Sequence, residues 1–284
     1  MKRRKPDTRA VGLDVGLAFI HWLTGAENLH YGDWTGLEVS AANLLRAQEA
    51  YTARLFALLP ERPCRILDIG GGAGETARKL LALGHQVDIV VPSAFLARRC
   101  RENAPAAMVH ECRFEYFTGT GPYDICLFSE SYQYIPLDVG LRRCLDLLAP
   151  GGRIIVADCF RSPAFQRDPV RATVGGGHPV AAFRETLAAL PLKAVREEDI
   201  TAAVAPSVDL EQGLFNVFGH AVTRIDSELA DTRPRFRAGL HLVLKALIGQ
   251  RKRQRLHQRL QEKTRNSAVF AQNNIYLVMA LERT

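Results

Sequence analysis

The chain reads as an α/β protein built on a parallel, doubly wound sheet. Three observations predict this class. Between Arg65 and Asp158, short apolar runs of strand length alternate with stretches of helical spacing. The runs are apolar almost throughout rather than every second residue, the pattern of strands covered on both faces. A cluster of glycines, Gly70, Gly71, Gly72 and Gly74, separates the first run from the first helix. Strand–helix–strand alternation at this spacing makes βαβ units.

Residues 1–62 read as helical or irregular. Ser40 is expected to cap a helix running to about Leu59, with Leu44, Leu45, Tyr51, Leu55, Leu58 and Leu59 on its apolar side. Pro60 and Pro63 close it. Arg65–Ile69 then reads as a strand, Gly74–Leu83 as a helix and Val87–Val91 as a strand. Ser93–Asn103 follows as a helix capped by Ser93. Met108–His110 is a weaker strand, Asp124–Ser129 a clear one, Asp138–Leu148 a helix and Arg153–Asp158 another strand. Val174–Val180, with its three consecutive glycines, reads as a loop before a helix to about Leu190. Ile200–Val204 is expected as a late strand and Ile275–Leu281 as the last. The long segment between them is mostly helical. In it Leu240, Val243, Leu244 and Leu247 form one apolar stripe, broken by Gly249. This divides the chain into a helical N-terminal lid (1–62), a core (63–205), a basic helical insertion or cap (206–272) and a last core strand (273–284).

Composition bounds the function. The 284 residues are 47% hydrophobic and 24% charged, an ordinary globular balance. No apolar run approaches the roughly 18 residues of a spanning helix. The N-terminus has a basic head, but its apolar part is short, carries Asp14 and lacks a small-residue cleavage site. No signal peptide is expected, and the expected location is cytoplasmic. Six cysteines without a CxxC pair are expected to be free thiols in a reducing compartment, with no metal site. The net charge of +7 is concentrated: residues 233–265 hold eleven Lys/Arg and one acid, a local +10, which leaves −3 for the rest. Basicity of one segment does not make a nucleic-acid protein.

The glycine loop has the spacing Asp68-x-Gly70-x-Gly72-x-Gly74. A dinucleotide fingerprint, GxGxxG, spaces its last two glycines three apart; here they fall at two-residue steps behind an acid. This loop resembles motif I of the class I S-adenosylmethionine-dependent methyltransferases. "PYDICLFSES" (Pro122–Ser131) resembles that family's fourth strand, and "LLAPGGRIIVADCF" (Leu147–Phe160) its Pro-Gly-Gly turn and fifth strand. The resemblance implies a Rossmann-like, seven-stranded sheet whose reversed last strand is Ile275–Leu281. It implies S-adenosylmethionine as cofactor, with Asp68, Gly70, Gly72 and Gly74 along its methionine and ribose part. Ser129 and Glu130 would face cofactor and substrate. Two positions depart from the family. The acid that grips the ribose hydroxyls falls on Val91, with Asp88 three residues early; the acid near the adenine falls on Cys112. A carboxylate–diol contact is charge-assisted, so its loss predicts weaker binding or another ribose partner such as Ser93.

Flanking stretches resemble small-molecule methyltransferases of the tocopherol, sterol and glycine-betaine type. They are "LHYGDW" (Leu29–Trp34), "ESYQY" (Glu130–Tyr134) and "EEDIT" (Glu197–Thr201). In such enzymes a carboxylate and a histidine four apart flank the substrate; here Tyr134 takes the histidine's place. The resemblance therefore implies Glu130 and Tyr134 as catalytic candidates. His30 is read either as a base or as a structural histidine. Tyr31, Tyr132 and Gln133 are candidates to bind the substrate. Methyl transfer needs a base only where the acceptor must lose a proton. The expected activity is O- or C-methylation of a small, partly apolar, acidic or lipid-like metabolite. A fold-retaining binding module without full cofactor grip, and an RNA methyltransferase using the basic segment, are the alternatives. Residues 233–265 are read as a solvated face, a lid, or a contact with an anionic membrane surface; nucleic acid is the less favoured partner. The sequence carries no signal for oligomeric state.

Overall fold

The computed structural model describes residues 8–166, 174–261 and 265–284. Among them, seven strands form one sheet: β1 (Arg65–Ile69), β2 (Gln86–Val90), β3 (Met108–His110), β4 (Tyr123–Ser129), β5 (Leu148–Arg161), β6 (Leu192–Asp199) and β7 (Asn274–Arg283). Their order is β3-β2-β1-β4-β5-β7-β6. β7 runs antiparallel to both of its neighbours, and the first five strands are mutually parallel. Helices α3 (Glu75–Ala82), α4 (Ala94–Asn103), α5 (Leu137–Leu147) and α6 (Val180–Ala188) make the crossovers. After β3 the chain returns to the far side of β1. The sheet therefore has its topological switch between β1 and β4, where open α/β sheets bind ligands beyond the carboxyl ends of the strands.

Strand parity sorts the core into two faces. Ile66, Val87, Ile89, Ile125, Leu127 and Val278 face one way, onto α1 (Thr8–Thr24), α2 (Leu44–Phe56) and the short α7 (Thr201–Val204). Leu67, Val90, Phe128, Val156 and Leu277 face the other, onto α5 and α6. Continuous apolar runs are what a sheet buried on both faces requires. Beyond α7 come α8 (Pro206–Thr232), α9 (Pro234–Leu247), α10 (Gln250–Gln261) and α11 (Ser267–Asn273). The break at Gly249 predicted from the sequence falls between α9 and α10. The basic residues at 1–5, and Glu262 and Lys263, lie outside the described residues.

Two sequence expectations are corrected. Ile200–Val204 is not a strand: the sixth strand is Leu192–Asp199, and α7 follows it. β6 is an edge strand paired only with β7, and most of its residues are exposed. Its charged sequence therefore carries no apolar run to be read. Asp199 accepts from the Thr201 amide at 2.9 Å, which turns the chain into the helix. Ser40 makes no side-chain cap; a 3₁₀ turn, Ala41–Asn43, intervenes before α2. By contrast Ser93 does cap α4, its Oγ accepting from the Leu96 amide at 3.4 Å.

Candidate active site

The glycine loop leaves β1 and opens α3. Gly70, Gly72 and Gly74 all have left-handed φ, at 81°, 55° and 88°. Their reasons for being glycine differ. A Cβ on Gly70 would lie 2.3 Å from Ser131 Cβ, and one on Gly74 would lie 2.9 Å from the Cys100 backbone. Those two are packing glycines. A Cβ on Gly72 would touch only Leu29, at 3.5 Å, so that stretch of backbone faces open space under the Leu29 side chain. Beneath the loop Asp68 is buried, and its Oδ2 has no hydrogen-bond partner. Burial pushes its carboxyl up to about 7.

Next to this loop, β4 ends in Ser129, and Glu130 follows it. Glu130 is the one non-glycine residue with left-handed φ, 56°, among those described. This backbone turns its carboxylate in towards the N-terminal segment. Oε1 accepts from the Tyr31 amide at 2.8 Å and from the Tyr276 hydroxyl at 3.0 Å. Tyr276 shares a hydrogen bond with Tyr51 at 2.8 Å, and Tyr51 with Ser129 at 3.1 Å. Because an ionised Glu130 only accepts, the chain runs one way: Ser129 donates to Tyr51, Tyr51 to Tyr276 and Tyr276 to Glu130. Burial pushes Glu130 up to about 8, and the nearby Asp158 charge adds to this against the two donors. Asp158 is itself fully buried and raised to about 7 by burial, although the amides of Gln133 and Cys159 donate to it at 3.1 and 2.7 Å. Burial likewise raises the phenols of Tyr31, Tyr51 and Tyr276, which stay protonated.

The segment Leu29–Trp34 forms the wall opposite. The amide of Gly32 and the indole of Trp34 both donate to Ser207 Oγ, at 3.0 and 2.8 Å, which locks this segment to α8. The Tyr31 ring meets Phe270 edge-on at 5.7 Å. Tyr31, Tyr51 and Tyr276 thus surround the Glu130 carboxylate with aromatic edges and hydroxyls.

The structure brings together Tyr31, Ser129 and Glu130, and sets Asp68 and the glycine loop beside them through Ser131. That hydroxyl donates to the Ile69 carbonyl, and its Cβ fills the space over Gly70. Other candidates are placed differently. His30 has both ring nitrogens engaged within the protein: Nδ1 with the Tyr31 carbonyl at 2.8 Å and Nε2 with Thr52 at 3.5 Å. It stacks on Tyr51 at 4.5 Å, and burial lowers it to about 4. Those contacts hold the ring in place, and burial favours its neutral form. Tyr134 is 69% exposed, and the donor to Glu130 is Tyr276 instead. Tyr132 is fully buried and donates to the Leu137 carbonyl at 2.8 Å, which makes it core. Gln133 lies beside Gly176 of the glycine loop before α6. Tyr51, Tyr276 and Asp158 are site residues that the sequence reading passed over. Asp158 had a legible signal, as the one acid in the apolar run "IIVADCF".

Val91, directly after the second strand, is buried and apolar, with its amide donating to the His110 carbonyl. Asp88 points to the opposite face, where it accepts from Arg65 at 2.9 Å and Tyr123 at 2.5 Å. Neither supplies an acid on the ligand side. Ser93, with its hydroxyl hydrogen still free to donate, is the nearest polar side chain along the chain. Among the described residues no His/Cys/Asp/Glu cluster could hold a metal ion, and all six cysteines are free.

No family model matches this chain. A methyltransferase of Geobacillus kaustophilus whose function is uncharacterised is 32% identical over 124 residues. That match takes in 41% of this chain and 57% of the relative's length. Among solved structures, geranyl diphosphate C-methyltransferase from Streptomyces coelicolor superposes with a TM-score of 0.62 at 14% identity, covering 94% of this chain and 92% of its own. The fold is that of the class I methyltransferases. A cyclopropane synthase from Mycobacterium tuberculosis has a TM-score of 0.64 at 15% identity, covering 99% of this chain and 100% of its own. The cyclase SpnF has 0.63 at 16%, covering 98% and 97%. The geranyl diphosphate enzyme was solved with S-adenosylhomocysteine bound.

Proposed function

We propose that this chain is an S-adenosylmethionine-dependent methyltransferase acting on a small, partly apolar molecule, and that Glu130 takes the proton which the methylated oxygen or carbon must lose. The observation that carries this is the Glu130 carboxylate, raised to about 8 and held between the Tyr31 amide and the Tyr276 hydroxyl, one loop away from the glycine turn. A general base works best with its pKa near the working pH.

The residues present fit the cofactor at one end. Asp68 offers a buried carboxyl oxygen without a partner, and Gly72 offers left-handed backbone in open space. Asp68, Gly70 and Gly72 would hold the methionine part, with Gly74 keeping the turn against α4 and Ser93 as the ribose partner. When bound, S-adenosylmethionine supplies an electrophilic methyl group on sulfur, transferred in line to an oriented acceptor. Tyr31 and Gln133 would bound the acceptor's site, and the 1–62 and 206–272 segments would cover it as lid and cap.

The proposal is tested by calorimetry with S-adenosylhomocysteine on the full chain, followed by mass spectrometry of extract incubated with methyl-labelled cofactor. Micromolar binding and a labelled small molecule support it. Val91 favours one second reading, a binding module that has lost its ribose grip; absence of binding at millimolar S-adenosylhomocysteine would establish that reading instead.

A further inference from the structure

Helix α9 is turned inside out. On a surface helix the apolar stripe normally faces the core and the charged side faces water. Here the polar side faces the protein: Arg237 donates to Asp226 of α8 at 2.9 and 2.7 Å, and His241 lies 2.8 Å from the same carboxylate. The apolar stripe Phe236, Leu240, Val243 and Leu247, at i, i+4, i+7 and i+11, faces solvent, with exposures from 39% at Leu240 to 77% at Leu247. No residue of α9 is buried. On α8, Phe218, Val222 and Ile225 make a second stripe at i, i+4 and i+7, each more than half exposed. It lies within about a quarter turn of Asp226, the residue that grips α9. Two exposed stripes on adjoining helices form an apolar area larger than the scattered leucines of an ordinary surface.

Charge surrounds this area. Among the described residues, no carboxylate pairs with Arg233 and Arg235 at the start of α9, with Lys245 near its end, or with Lys252 and Arg255 on α10. α10 is fixed beside α8 so closely that Gly219 meets the Leu260 carbonyl, 1.9 Å from where a Cβ would stand. Arg259 is used internally, stacked on Phe215 at 4.1 Å and paired with Glu211 at 2.9 Å. Arg265 is likewise paired with Glu211, at 3.4 Å, so among the described residues Arg233, Arg235, Lys245, Lys252 and Arg255 are left to meet a partner.

We infer that the α8–α10 surface docks on an anionic phospholipid membrane, with the α8 and α9 stripes at the acyl boundary and the α9–α10 cations on the headgroups. An exposed apolar helix face bordered by Lys and Arg is the interfacial amphipathic pattern. Charge decides against a second copy of this chain as the occupant, because residues 206–265, with the five acids of α8 counted, still sum to +6, and two such faces would repel. Acidic headgroups neutralise it. A surface seat also lets long side chains keep their charge at the interface while their stems cover apolar ground.

The test is co-sedimentation of the full chain with vesicles of phosphatidylcholine alone and of phosphatidylcholine with 30% phosphatidylglycerol. Several-fold more protein bound to the anionic vesicles, declining as salt is raised, is the expected result. At about fivefold in affinity per cation, the double variant K252Q/R255Q should bind anionic vesicles roughly twenty- to thirtyfold more weakly. L240S/V243S should lose binding to the same vesicles with its circular dichroism unchanged. The wild-type comparison needs no variant to fold. Equal binding to both vesicle types, or none to either, overturns the inference. So does a dimer in solution that L240S/V243S converts to a monomer, since a second copy would then cover the face.

Discussion

Tyr276 donates its hydroxyl hydrogen to Glu130 across 3.0 Å, tying the reversed last strand to the residue that follows the fourth. The bond sets how readily the carboxylate ionises, because a donor to the charged form favours it. Y276F removes this donor and leaves the ring in place. A hydrogen bond to a charged group contributes about 1.5–3 kcal/mol, so the Glu130 carboxyl should titrate at least about one unit higher. Carboxyl-labelled NMR of Glu130 across pH 5–10 reads this directly, without a substrate. An unchanged titration would mean that Tyr276 contributes packing alone.

Glu130 and His30 separate base from support. E130Q keeps the shape and both donors' partner oxygen but accepts no proton. It should lower turnover of the labelled product by about 10²- to 10⁴-fold, with S-adenosylhomocysteine affinity within about threefold of wild type. H30A loses the stack on Tyr51 and the bond to the Tyr31 carbonyl. Its first effect should be on stability, about 1 kcal/mol, and its loss of turnover should be smaller than that of E130Q. Equal losses in the two variants would return His30 to the list of bases.

The glycines of the loop should divide by what a methyl group meets. G74A drives a Cβ to 2.9 Å from the Cys100 backbone, so it should destabilise the ligand-free fold by about 2 kcal/mol or more. G72A meets only the end of Leu29 and costs about 1–2 kcal/mol for its left-handed φ. Yet Gly72 is the residue whose backbone faces the open space, so G72A should weaken S-adenosylhomocysteine by tenfold or more while G74A, where folded, weakens it less. Paired thermal melts and calorimetry decide; equal loss of affinity in both would deny Gly72 a special place.

The sheet was legible because burial on both faces leaves a mark that a sequence keeps: "RILDI", "DICLFS" and "RIIVADCF" are apolar whichever way a residue points. β6 left no such mark, since an edge strand with a solvated face needs no apolar run. At the site, Asp68, Glu130 and the glycines were legible from spacing and resemblance, all being local in sequence. Tyr51 and Tyr276 were not. Each reads as an apolar position of its helix or strand, and only the fold brings them within 2.8 Å of one another across 225 residues. Tyr134 fits a family pattern by its place four residues after Glu130, but spacing does not say that the 3₁₀ turn Tyr132–Tyr134 leaves it largely in solvent. α9 is a different case: its stripe has ordinary helical spacing, and nothing in the spacing says which way the stripe faces.

Three buried carboxyls should make the ligand-free protein lose stability as pH rises. Asp68 and Asp158 stand at about 7 and Glu130 at about 8, against about 4 for such groups in an unfolded chain. Between those limits the folded state binds more protons than the unfolded one, so unfolding free energy falls with pH. The contribution is whole below about pH 4 and gone above about pH 8. His30, lowered to about 4, acts in the opposite sense, but only up to its unfolded value near 6.5. From pH 6.5 to 8 the slope therefore belongs to the carboxyls, and the melting temperature should drop by a few degrees. E130Q, which cannot ionise, should flatten the upper part of that window, and D158N the lower. A wild-type melting temperature that climbs from pH 6.5 to 8 would sink the assignment of protonated carboxyls to this site, as would an E130Q curve parallel to it throughout.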